Sequence, residues 1–294
     1  MLIFILFYGA LRNAFRSFKT AMKKREKKII YYTDELNDEF AGDNITPKKI
    51  DGSWKYEHKS LWKRFTHFFW YRLVAVPIYF IYLKLKFHHT IKNRKVIKSS
   101  RKTGYFMYAN HTQPLADAAI PTFVAWPKTT YVIVHPNNVS MPFLGRVTPS
   151  MGALPLPDDF NAQRNFIKAI EHKIEKKKAV HIYPEAHIWP YYTGIRPFVD
   201  ASFHYPIKYD TPAFSFTNTY QKRKFSKKPR LVTYVDGPFY ADKSLSPKEQ
   251  RRQLRDMVYN AMVERAKCSD VEFIEYRKKP SEDFCPDSTK ADEE

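Results

Sequence analysis

The stretch "YFMYANHTQPLAD", residues 105–117, decides the fold. Its first five residues are an unbroken apolar run, which reads as a short strand. Asn110 and His111 end the run, Pro114 favours a turn, and 115–125 then reads as a helix. A strand followed by a turn and a helix is the repeating unit of an α/β domain. His111 sits just past the strand, at the mouth where such folds place ligands. Asp117 falls in the first turn of the helix, from where a carboxylate can reach back to the imidazole.

That pair has a definite chemistry. An imidazole accepts a proton near neutral pH, and a carboxylate on its other nitrogen fixes the tautomer and steadies the imidazolium. The helix start offers backbone N–H groups to a developing oxyanion. No Ser or Cys lies close by in sequence to serve as nucleophile. Direct attack by a substrate hydroxyl, with His111 as base, is the arrangement this favours.

Outward from the motif, strands and helices keep alternating. Strands are expected at 130–134, 152–156, 179–183, 211–220 and 230–239. A helix follows Asp159, a suitable N-cap. Another starts at Ser246, with Pro247 in its first turn and Glu249 closing a capping box. The predicted fold is therefore α/β, a mixed sheet flanked by helices, over residues 90–280. Residues 281–294 are acidic and lack a hydrophobic cluster, so they read as an unordered tail.

The first ninety residues have another texture. Residues 1–30 read as an amphipathic helix: Phe4, Phe7, Leu11, Phe15 and Phe18 recur at steps of three and four, flanked by Arg12, Arg16 and Lys19. The apolar run there, about ten residues, is short of the roughly 20 a spanning helix needs. Residues 31–60 form a polar connector. Residues 61–89 are crowded with aromatics and broken by Arg72 and Pro77, which reads as a helical hairpin on a membrane surface. Residues 51–102 hold thirteen Lys and Arg against two acids, and the whole chain carries a net charge of +20. Such a balance implies an anionic partner. A nucleic-acid stripe or an ordinary core helix pair with solvated charge are the rival readings of 61–89. There is no recognisable nucleic-acid motif, and the apolar 61–83 suits lipid better. Two cysteines without ligand spacing favour neither a disulfide scaffold nor a cysteine zinc site and fit a reducing cytosol. His181, Glu185 and His187 match no recognised metal-ligand spacing, so no metal is expected.

Four blocks in order give the chain a resemblance to the glycerolipid acyltransferase superfamily, whose best-known members acylate lysophosphatidic acid. They are Asn110, His111 and Asp117; the Gly-led strand "GALPLP" from Gly152; "YPE" with Glu185, akin to the family's Phe-Pro-Glu-Gly; and the strand start "DTPAFSF" with Pro212. The resemblance spans roughly 60–240. It implies transfer of a fatty acyl group from acyl-CoA or acyl carrier protein to a hydroxyl of a lysophospholipid in the membrane, with no bound cofactor. It implies His111 as general base, Asp117 as its partner, and Glu185 in positioning the acceptor. Asn110, Gly152 and Pro212 are carried over as substrate-binding positions. The implied location is the cytoplasmic face of a membrane, peripheral or monotopic.

The chain departs from the family pattern in three places. Five residues, not four, separate His111 from Asp117. The arginines expected after the second and third blocks, where the acceptor phosphate is gripped, are absent. Arg196, Arg146 and His187 are the nearby groups that could stand in. A non-catalytic membrane-binding protein of the same fold is the alternative these gaps leave open; a basic nucleic-acid-binding protein is the remoter one.

Overall fold

A computed structural model of the protein describes residues 27–280, apart from 43, 44, 58 and 59. The acidic tail and all but the end of the expected N-terminal helix lie outside them. That end, predicted helical, is instead part of strand β1 (Lys28–Tyr32). Helix α1 follows over 61–87, then β2 (Thr90–Lys92), β3 (Tyr105–Ala109) and α2 (Ala116–Ala125). Next come β4 (Thr130–Val134), β5 (Ala153–Pro155), α3 (Phe160–Glu175) and β6 (Ala179–Ile182). The long strands β7 (Ala213–Arg223) and β8 (Ser226–Phe239), helix α4 (Pro247–Ala266) and β9 (Ile274–Lys278) complete the chain.

Seven strands form one mixed sheet in the order β2-β8-β7-β3-β6-β4-β5. Only β7 and β8 pair antiparallel; the other neighbours are parallel. Strand β3 lies at the centre and is buried throughout, as an apolar run without alternation requires. Tyr105, Met107 and Ala109 point into a core with Leu83 and Phe87 of α1 and Ile120 of α2. Phe106 and Tyr108 point the other way, into a core with Phe166 and Ile170 of α3 and Val258 of α4. The two caps read from sequence hold those helices. Asp159 accepts from the Ala162 N–H at 2.8 Å, and Ser246 and Glu249 make the reciprocal box.

Residues 61–87 are one continuous helix, not a hairpin. Pro77 cannot donate to the turn before it, and its ring crowds that turn's carbonyl. The helix widens into a π-helix over Phe69–Ala75 just ahead of the proline, and Val76 N–H bonds back to Tyr71. The wider turn makes room for the ring, so the axis runs on. Arg64–Phe87 is long and apolar enough to cross a membrane, and only 17% of its most apolar 18 residues are buried. The exposed side carries Leu61, Trp62, Phe65, Leu73, Ile81 and Leu85. This is an apolar helix consistent with membrane association.

The connector is not idle. Strand β1 pairs in parallel with β9, five residues deep. Neither strand was legible as such, because each is short and finds its partner 246 residues away along the chain.

Candidate active site

His111 leaves the C-terminal end of β3, and Asp117 lies in the first turn of α2. The structure brings them together: His111 Nδ1 is 2.8 Å from Asp117 Oδ2. The extra residue between them is absorbed because the loop folds around the carboxylate. The same Oδ2 accepts from the backbone N–H groups of Thr112 and Gln113, each at 2.8 Å. Those two N–H groups are therefore committed to Asp117 and are not free for an oxyanion. An acceptor-only carboxylate requires the proton on His111 Nδ1, which leaves the Nε2 lone pair without a partner among the described residues. The His111 side chain is 16% exposed and Asp117 1%. The pair is thus a buried orienter beneath a reachable base.

A second ring fixes the imidazole plane. Tyr183, at the end of β6, stacks on His111 with centroids 4.1 Å apart and planes 11° off parallel. Its hydroxyl donates to the Asp117 backbone carbonyl at 2.7 Å. That carbonyl is available because its helical donor would be residue 121, a proline without an N–H. Burial pushes the Tyr183 hydroxyl well above its ordinary value, so it stays a donor.

Sequence reasoning missed Asn218. Its side chain donates to Asp117 Oδ1 at 3.3 Å and accepts from Thr233 Oγ1 at 2.7 Å. Thr233 spends its only proton there, so the 2.8 Å contact with His89 has His89 Nε2–H as donor. A directional chain runs from His89 through Thr233 and Asn218 to the carboxylate. The sequence signal was an amide inside a buried strand, where such a group needs partners. Asn110 holds the backbone of the same residue. It exchanges hydrogen bonds with the Asn218 backbone at 2.8 and 3.0 Å, tying the motif to β7.

His89 gives this network a pH dependence. Burial pushes it down to about 4. The unfolded chain, with an ordinary histidine near 6.5, takes up the proton first on acidification. Stability is therefore held above about pH 6.5 and lost as pH falls towards 4, by about 3 kcal/mol from this group. His89→Gln keeps an N–H donor but cannot titrate. Thermal melts at pH 7 and 4.5 should show the variant losing less stability than the wild type. Parallel losses in the two proteins would contradict the assignment.

Glu185 and Arg196 are placed differently from expectation. Glu185 is buried; its Oε2 accepts from the His111 backbone N–H and its Oε1 from that of Arg196, both at 3.0 Å. Burial pushes its carboxyl up, while Arg196 and these N–H groups pull it back. Arg196 is 1% exposed. Its guanidinium bonds the carbonyls of Glu185, His187 and Glu35 and lies 3.5 Å from Glu185 Oε2. It is a brace between the loop 185–196 and the connector, not a free cation. His187 is half-buried, with Nδ1 3.4 Å from Glu39 Oε2. Arg146 is exposed on the helical turn Leu144–Val147. Trp189 is enclosed by Tyr32, Phe40, Tyr192 and Tyr276, so it packs rather than lining a groove.

Gly152 and Pro212 do not reach His111. The register puts Gly152 level with Phe106 and three strands away, roughly 20 Å from the motif. Its φ is +100°, and a Cβ there would stand 2.5 Å from the Thr130 carbonyl, so packing requires the glycine. Pro212 precedes Ala213, the partner of Phe106, at that same far edge. There a proline costs the sheet no ladder bond. The arginine that the resemblance leads one to expect falls on Pro157 or Asp158; Asp158 accepts from the Ile50 N–H at 2.6 Å and anchors the connector. His181 packs inside the sheet between Tyr183 and Phe216, apart from His187.

Residues 88–217 match the acyltransferase family. Among solved structures, the chain is similar to the 1-acyl-sn-glycerophosphate (LPA) acyltransferase PlsC from Thermotoga maritima. The identity is 16%, the match covers 61% of this chain and 72% of that one, and the TM-score is 0.41. No curated protein matches.

Proposed function

From the acyltransferase family match over residues 88–217, which takes in His111, Asp117 and Glu185, we propose that the protein transfers a fatty acyl group to a hydroxyl of a lysophospholipid held in a membrane. The donor is an acyl thioester of coenzyme A or acyl carrier protein, both acidic and suited to a basic protein. The protein works from the cytoplasmic face, with α1 in the membrane interface.

One observation carries the reading: a half-shielded imidazole whose Nδ1–H is locked on a buried carboxylate while Nε2 has no partner among the described residues. Nε2 takes the proton of the acceptor hydroxyl as its oxygen attacks the thioester carbonyl. The new C–O bond forms, the C–S bond breaks, and the departing sulfur takes the proton from Nε2. Asp117 steadies the imidazolium between these steps. Glu185 acts through the backbone it holds, keeping His111 in place rather than touching the acceptor. The burial of Arg196 removes one candidate for gripping a phosphate monoester, which widens the acceptor class to related hydroxyl lipids.

The test is acyl transfer by the purified full chain in detergent, with acyl-CoA and acyl carrier protein thioesters against a panel of lysolipids. Ester product with a lysolipid is the expected result. Background levels with every pair from folded protein would overturn the catalytic reading and favour a non-catalytic membrane protein.

A further inference from the structure

Strands β7 and β8 run past the ends of the other strands. The last pair between β3 and β7 is Ala109 with Phe216, and β7 continues for seven residues to Arg223. The first five of those residues are buried, and β2 flanks β8 as far as Val232, opposite Thr219, so the part of the hairpin that stands clear is its tip, Lys222 to Lys228. From sequence the segment 221–230 reads either as a solvated hairpin loop or as a contact for a membrane or an acidic carrier. In the structure the strands run through it and leave a two-residue turn, Lys224 and Phe225.

Phe225 is hard to explain by folding. It is 95% exposed, and its φ is +63°. The left-handed region costs a bulky residue energy that Gly or Asn would largely avoid. Among the described residues nothing repays that cost: the contact of the ring is with Lys224, 5.0 Å from its centroid. Six of the ten residues in 221–230 are basic and none is acidic.

The neighbourhood extends the same chemistry. The Arg223 guanidinium meets the His88 ring at the end of α1. The last turns of α1 expose Ile81 and Leu85, the latter at 73%, next to Lys84. Leu115, between His111 and Asp117, is also exposed. Apolar tips set in a basic surround fit an anionic lipid surface, where lysines meet phosphates and an aromatic ring enters the headgroup level. A nucleic acid would use the lysines and the ring but not the aliphatic side chains beside them.

We propose that the tip of the β7–β8 hairpin is a second membrane contact, with Phe225 entering an anionic bilayer and Lys224 and Lys227 on its phosphates. Together with the end of α1 it turns the His111 edge towards the lipid. This rests on the reading that the acceptor is a membrane lipid, but its test does not require turnover.

The full chain, with Cys268→Ser and Cys285→Ser, is labelled with an environment-sensitive dye at Ser226→Cys, which keeps Phe225 and the lysines. A control carries the dye at Lys243→Cys, an exposed site beyond the far end of β8. On phosphatidylcholine vesicles containing phosphatidylglycerol, the dye at 226 should shift blue and be quenched by spin-labelled lipid. The dye at 243 should not respond. Adding Phe225→Ser, Lys224→Ala and Lys227→Ala should weaken binding to these vesicles by roughly tenfold or more while leaving acyl transfer in detergent unchanged. Dye at 226 that stays in water, whether or not the protein binds the vesicles, overturns the proposal. So does a response to single-stranded RNA but not to vesicles. Insertion of the tip in a protein that transfers no acyl group would sink the proposed reaction and leave the docking surface standing; transfer with the tip in water would do the reverse.

Discussion

His111→Ala will lower the rate of acyl transfer by roughly a hundredfold to ten-thousandfold, the contribution of a well-placed general base. The loss should fall on kcat, because Nε2 acts on the proton in flight and not on the bound acceptor. Stability should change little. Asp117 keeps the N–H groups of Thr112 and Gln113 and the Asn218 amide after the ring is gone. The side chain that leaves, itself 16% exposed, gives up one hydrogen bond and one ring stack. Turnover within threefold of wild type, measured on a donor and acceptor that the wild type uses, would mean that His111 is not the base.

Arg196→Met has a different signature, and it separates two roles for the same residue. An arginine gripping the acceptor's phosphate would, when removed, raise KM in a protein of normal stability. The structure places the guanidinium inside, on three carbonyls and beside the Glu185 carboxylate. Removing it leaves a buried carboxylate unpaired, which costs about 3–5 kcal/mol. For a chain of this size that is a Tm lower by roughly 10 °C. Pairing the change with Glu185→Gln removes the stranded charge and should recover part of the loss. A wild-type Tm with a raised KM would return Arg196 to the acceptor site. The damage should also reach His111, whose backbone N–H is held by Glu185.

Features that depend on neighbours along the chain are legible before folding is considered. The apolar run 105–109 has no alternation, so both its faces had to be covered, and β3 is the central strand. Asp159 and the Ser246–Glu249 box cap helices because a cap reads only the next three residues. His111 and Asp117 meet because six residues of turn and helix suffice to join them. Tertiary structure decided everything that depends on register between distant strands. A block's order in the chain does not say which end of the sheet it occupies; Gly152 and Pro212 belong to the edge away from His111. Nor could the sequence reveal that Glu185 and Arg196 are spent on each other and on the connector, since their partners lie on other elements. The helix over 61–87 turned on the same kind of fact. A proline argues for a break, and whether the preceding turn can widen to admit it is settled only in the folded backbone.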